Sequence, residues 1–175
     1  MNEDVIFEDI FLTSRVVIKP EKRLGKEYAI LYPTDGLYLS MRQYRCLVKV
    51  LEKEKILDDV IGIDIEGIQE PENLKQMQRR RIMSFNYNQY VSQLLLLENS
   101  LLDINGRWTL SVYQDYWAIL YADKEIIQEF AKQYDLFGDL NKFKKELFSE
   151  IVDVNFKRQL QELLENSYNN LKWKV

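Results

Sequence analysis

Two stretches of the chain, "YAILY" at 28–32 and "WAILY" at 117–121, contain the same four-residue core, Ala-Ile-Leu-Tyr. Each is an apolar run of strand length bounded by turn formers, "PTDG" after the first and "NGR" ahead of the hairpin that holds the second. A duplicated unit, a paired functional loop and two buried strands could each produce such a match. The residues flanking the two copies do not correspond, so the core is read as strand composition. Ala, Ile and Leu between aromatic ends suit a covered strand, and the match carries no chemistry.

The rest of the chain supplies helices to cover those strands. Ser40 precedes "MRQYRCLVKVL", where Ser40 and Gln43 match a capping box and Leu39 and Tyr44 a hydrophobic staple. Tyr44, Leu47, Val48 and Leu51 then recur at helical spacing. "RVVIK" at 15–19 and "VIGIDIEGI" at 60–68 read as further strands, and "WTLSVYQDYWAILYA" at 108–122 as a hairpin. "ENLKQMQRRR" reads as a short helix. The segment 87–103 reads as a longer one, with Tyr87, Tyr90, Val91, Leu94 and Leu101 along its stripe. Asp123 is placed to cap a helix through 134 carrying Ile126, Ile127, Phe130, Ala131 and Tyr134, after which Gly138 punctuates the chain. The tail from 139 reads as two helical pieces broken at "VDVN". The expected fold is therefore α+β: a small mixed or antiparallel sheet of four to six strands, packed against four or five helices, with a helical C-terminus. At 175 residues with only six Gly and three Pro, the expectation is one compact domain over 1–175, with room for two small lobes meeting near 70–105.

Function is constrained first by exclusion. The chain has no histidine, which removes Ser-His-Asp and Cys-His catalysis and imidazole metal sites. Its single cysteine, Cys46, forms no intramolecular disulfide and reads as a small buried hydrophobe. No phosphate loop, dinucleotide fingerprint or calcium loop occurs. No catalytic residue, cofactor or metal is assigned. The N-terminal "MNEDVIFEDIF" is acidic, unlike a signal peptide, and no apolar run has the length of a membrane span, so a cytoplasmic location without membrane contact is expected.

Charge is blocked along the chain. Residues 15–55 hold ten Lys or Arg against five acidic residues, within a chain of net charge −4. Arg42, Arg45 and Lys49, at i, i+3 and i+7, share the helix side opposite the core. Arg79, Arg80 and Arg81 form a second basic run. The intervening 56–73 has six acidic and no basic residues, with Asp64 and Glu66 two apart on one strand face. These eight residues are the candidate partner-binding set.

Two local resemblances arise. "GIDIEG" at 62–67 resembles the first strand of the ribonuclease H-like nucleases over six residues, without that family's further carboxylates on later elements. "DGLYLSMRQYRCLVKVL" at 35–51 resembles the strand-to-helix junction of response-regulator winged helices through Ser40, Gln43, Tyr44, Leu47 and Val48, and ends there. The clustered tyrosines 28, 32, 38, 113, 116 and 121 suit cross-strand pairs or a recognition face.

Alternating charge blocks on an aromatic-rich domain fit a non-enzymatic protein-binding module, of the style of toxin-immunity or phage-encoded inhibitor proteins that neutralise a charged partner protein. The base composition implied by its many Lys, Ile, Asn, Tyr and Glu suits a bacterial or phage genome. The alternative is a nucleic-acid-binding regulator using the helix face 42–53 and the arginines at 79–81. A homodimer through the leucine-rich face at 94–102 is compatible with either.

Overall fold

A computed structural model describes residues 25–57, 60–64, 79–82, 86–93, 99–103 and 105–171. The strand expected at 15–19, Glu66 and the leucines at 94–97 lie outside these residues.

Among the described residues six strands form one antiparallel sheet: β1 (Lys26–Leu31), β2 (Val60–Asp64), β3 (Arg79–Ile82), β4 (Asn99–Asp103), β5 (Trp108–Tyr113) and β6 (Trp117–Asp123). Their spatial order is β1-β6-β5-β4-β2-β3. The helices are α1 (Met41–Lys53), α2 (Tyr87–Gln93), α3 (Lys124–Gln133), α4 (Leu136–Glu146), α5 (Val154–Asn166) and α6 (Tyr168–Leu171). The α+β expectation, with its helical C-terminus, is observed.

The repeated cores turn out to be neighbours. β1 and β6 pair antiparallel with Tyr28 opposite Tyr121, Ala29 opposite Leu120, Ile30 opposite Ile119 and Leu31 opposite Ala118. Because side chains alternate along a strand, each run feeds both faces of the sheet. Ile30, Ile119, Tyr28, Trp117 and Tyr121 pack with Leu140 and Phe143 of α4 and with Leu160, Leu163 and Leu164 of α5. Ala29, Leu31, Ala118 and Leu120 join Leu47, Val50 and Leu51 of α1, Tyr90 of α2 and Ile126, Ile127 and Phe130 of α3 on the other. This part of the sheet is thus the middle of three layers. That explains why its strands are apolar throughout instead of alternating.

On the outer edge of β1 a side chain bonds the backbone of Ile30. Ile30 donates its amide to Asn169 Oδ1 at 3.0 Å, and its carbonyl accepts from Asn169 Nδ2 at 2.8 Å. The same Nδ2 also reaches the Leu136 carbonyl at 2.7 Å. One amide side chain from α6 therefore does for Ile30 what a neighbouring strand does elsewhere.

Several expectations are corrected. Arg79–Ile82 is a strand, with Arg79, Arg80 and Arg81 opposite Ile63, Gly62 and Ile61 of β2. Of the expected helix at 87–103, Tyr87–Gln93 is helical, whereas Leu101 lies in β4, buried and opposite Leu110. Both segments favour helix locally, but the sheet needs their backbone groups, and tertiary pairing overrides propensity. Asp123 holds the N-cap position of α3 without bonding the helix. Its carboxylate binds Lys26 Nζ at 2.6 Å and Arg107 Nε at 3.0 Å instead. Gly138 does not end an element. It lies in the first turn of α4, where a Cβ would stand 2.5 Å from Oδ2 of Asp135, the helix's N-cap.

Candidate functional site: the α1–α2 groove

The start of α1 is fixed from both directions. Gln43 N–H donates to Ser40 Oγ at 3.3 Å and Ser40 N–H to Gln43 Oε1 at 2.9 Å, the reciprocal box expected from the sequence. Gln43, fully buried, uses its remaining amide hydrogens on the Pro33 carbonyl at 3.1 Å and Asp139 Oδ2 at 3.3 Å. Leu39, just before the cap, is held by α2: its amide donates to Tyr90 Oη at 3.0 Å, and its carbonyl accepts from Tyr87 Oη at 3.1 Å. Tyr44 stacks on Tyr90 with centroids 4.8 Å apart, and Tyr87 meets Tyr44 edge-on at 5.3 Å. Burial raises the phenol pKa of Tyr44, Tyr87 and Tyr90, so all three stay neutral.

These contacts leave the two flanks of α1 unlike each other. On the α3 side, Lys53 Nζ lies 2.8 Å from Glu129 Oε1, and Lys132 reaches Oε2 at 2.9 Å. Their hydrogen bonds hold the Glu129 carboxyl down to about 2. The Arg42 guanidinium sits over the Tyr134 ring, 5.6 Å from its centroid. Cys46 is half-buried on this flank, with Sγ 3.6 Å from the Gln133 carbonyl.

The other flank opens on a groove of about 440 Å³ lined by Met41, Tyr44, Arg45, Val48, Lys49, Asn86, Tyr87 and Asn88. Arg45 and Lys49 are exposed and have no ion-pair partner among the described residues. Met41 is 45% exposed despite its apolar side chain. The site is thus an apolar and aromatic floor with two unpaired cations on one rim and two asparagines on the other.

Of the candidate partner-binding residues, the structure brings Arg45 and Lys49 to the groove and turns Arg42 towards α3. Arg79, Arg80 and Arg81 lie in β3, the terminal strand among the described residues. α2 packs against both α1 and β3, so the two basic runs flank one short helix. Asp64 ends β2 opposite Asn99. Met41, Asn86, Tyr87 and Asn88 were not in the sequence-derived set. The available signal was the Asn86-Tyr87-Asn88 run opening a helix, where Asn86 Oδ1 accepts from the Asn88 amide at 2.9 Å.

Among the described residues Asp139 is the carboxyl whose pKa is raised. Only 5% exposed, it accepts from the Tyr32 amide at 2.9 Å, Tyr134 Oη at 3.0 Å and Gln43 Nε2. Burial pushes its pKa up to about 6, and the three donors only partly offset that. All its bonds join β1, α1, α3 and α4 to one another, which makes it a structural node. The cross-strand arrangement of the tyrosines is observed for Tyr28 and Tyr121. Tyr113 faces Trp117 across the β5–β6 hairpin, whereas Tyr32, Tyr38 and Tyr116 lie outside the strands, Tyr116 being 57% exposed at the β5–β6 turn with φ of +63°.

Among the described residues, no cluster of three or more Cys, Asp or Glu side chains is arranged to hold a metal ion, and no helix is long and apolar enough to cross a membrane. Comparisons with protein-family models, curated proteins and solved structures found no match.

Proposed function

We propose that this chain is a non-enzymatic protein-binding module that neutralises a charged partner protein, in the manner of toxin-immunity or phage-encoded inhibitor proteins. The observation that supports it is the contrast between the two flanks of α1. Arg42 and Lys53 are engaged within the fold, while Arg45 and Lys49, beside exposed Met41, have no ion-pair partner among the described residues. Cations next to uncovered apolar surface match the make-up of an interface, where charge steers the encounter and the apolar centre supplies affinity. The test is affinity capture from nuclease-treated extract of the native host, comparing the wild type with an Arg42, Arg45 and Lys49 triple alanine variant. A protein retained by the wild type, and lost with the variant or at raised salt, is expected. An identical captured set from both proteins would overturn the proposal.

A second reading, nucleic-acid binding, is favoured by the packing of α2 against both α1 and β3, the two elements that carry the basic runs. It predicts binding to mixed-sequence duplex or single strands that weakens steeply with salt and is lost in the same variant. Fluorescence anisotropy measures this directly. Absence of binding at low salt removes the reading.

A further inference from the structure

We infer that the α1–α2 groove is the docking site for an acidic, apolar-anchored segment of a partner protein, one presenting carboxylates beside a large apolar side chain. The inference rests on the protein-binding function proposed above and names what that surface recognises.

Charge decides the polar half of the argument. Arg45 and Lys49 are one helical turn apart on a single rim, and the described structure gives neither a carboxylate partner. Lys53, one turn further on, already has Glu129. A ligand that lies along the groove therefore meets two open cations and needs negative charge to match them. The floor decides the apolar half. Met41, Val48 and the Tyr44 and Tyr87 rings surround a volume of about 440 Å³, within the range of ligand clefts and larger than a single ion needs. Burying Met41 and a partner side chain together is favourable only if the occupant brings apolar surface. The opposite rim, Asn86 and Asn88, offers amide groups of the kind that pair with a peptide backbone.

The floor is also fixed in advance. Tyr44 is stacked on Tyr90, and Tyr87 and Tyr90 each bond the Leu39 backbone, so α1 and α2 are locked at the groove's closed end. A preformed groove binds without first ordering its walls. Nucleic acid fits this surface less well. Two cations neutralise few phosphates, and the rings that form the floor are occupied with one another instead of lying open for base stacking.

The experiment uses the full chain and a defined probe. The capped peptide acetyl-Asp-Leu-Phe-Glu-amide is titrated while backbone amide NMR shifts are followed, alongside its Asn and Gln analogue. Shifts confined to Met41–Lys49 and Asn86–Asn88 are expected, with binding at least about tenfold weaker for the uncharged analogue and for the Arg45→Ala, Lys49→Ala double variant. A Val48→Glu variant, which places a carboxylate on the floor and leaves both cations, should also lose the peptide. A retained spectrum confirms that each variant is folded. No shift at millimolar peptide, equal binding of the analogue, or the same shifts produced at lower concentration by a mixed-sequence oligonucleotide would each overturn the inference. If host-protein capture depends on the α1 cations while the peptide leaves the groove unshifted, the groove assignment fails and the protein-binding function stands. If the peptide binds as expected but wild type and triple variant capture the same proteins, the converse holds.

Discussion

Replacing Asp139 by asparagine should flatten the acid side of the protein's stability profile. The folded carboxyl keeps its proton up to about pH 6, whereas the ordinary value of 3.8 applies when the chain is unfolded. Between those two values the native state binds more protons than the unfolded one, so the unfolding free energy falls as pH rises. The stabilisation is fully present below pH 3.8 and is lost as pH passes through about 6. A shift of this size corresponds to about 3 kcal/mol, as an order of magnitude, at 1.36 kcal/mol per pKa unit. Asparagine carries no such linkage, yet it can keep the geometry. Its carbonyl can accept from the Tyr32 amide and Gln43, while its amide donates to the Tyr134 hydroxyl, which then turns to accept. Relative to wild type, Asp139→Asn should therefore gain stability as pH rises from 4 to 6.5. The two curves should converge or cross at the acid end. Urea unfolding followed by tryptophan fluorescence across that range measures the difference, and subtraction cancels groups common to both proteins. Asp139→Ala serves as the contrast. It strands three buried donors and, lacking the titrating carboxyl as asparagine does, should lie about 3 kcal/mol below the asparagine variant at every pH. Parallel wild-type and asparagine profiles would refute the assignment of Asp139 as a buried carboxyl with a raised pKa.

Three further substitutions test individual contacts by the same unfolding measurement. Asn169→Ala leaves the Ile30 amide and carbonyl and the Leu136 carbonyl without their partner in a buried site, and should cost about 3 kcal/mol. A loss under half that size would mean water replaces the side chain. Gly138→Ala displaces the Asp135 carboxylate from the α4 cap and should cost about 1 kcal/mol; in an Asp135→Ala background the same change should become neutral or stabilising. Tyr116→Gly relieves a left-handed backbone at an exposed turn and should stabilise by up to about 1 kcal/mol. Destabilisation would show that the ring has a packing role that outweighs the strain.

What the sequence made legible was local. The α1 cap could be read because Ser40 and Gln43 are three residues apart and serve each other. Its core stripe, Tyr44, Leu47 and Leu51, follows from the same periodicity. β6 and its hairpin were equally plain, since aromatic and β-branched residues flank a short turn. β3 and β4 were misread for the opposite reason. Three arginines and a leucine-rich run look helical until a distant strand needs their amides and carbonyls. Arg45 and Lys49 were found by helical spacing alone, but the same spacing could not separate them from Arg42, whose fate depends on Tyr134 just after α3. Nor could it supply the groove's other wall, because Asn86 and Tyr87 reach α1 only through packing. Asp139 was invisible as a node: its three donors come from residues 32, 43 and 134, and nothing in the sequence around it records them.

The pairing of β1 with β6 bears on how the chain meets other copies of itself. The register is symmetric about Ile30 and Ile119, so "YAILY" laid antiparallel on another "YAILY" makes the same Tyr-Tyr, Ala-Leu and Ile-Ile pairs that the finished fold makes within one molecule. β1 is synthesised well before β6, the strand it pairs with among the described residues. During that interval two growing chains offer each other a correct substitute. The misassembly that this register would favour, at high expression or on partial unfolding, is strand exchange between copies. Asn169 arrives later still, and only then are the outward amide and carbonyl of Ile30 bonded within the chain.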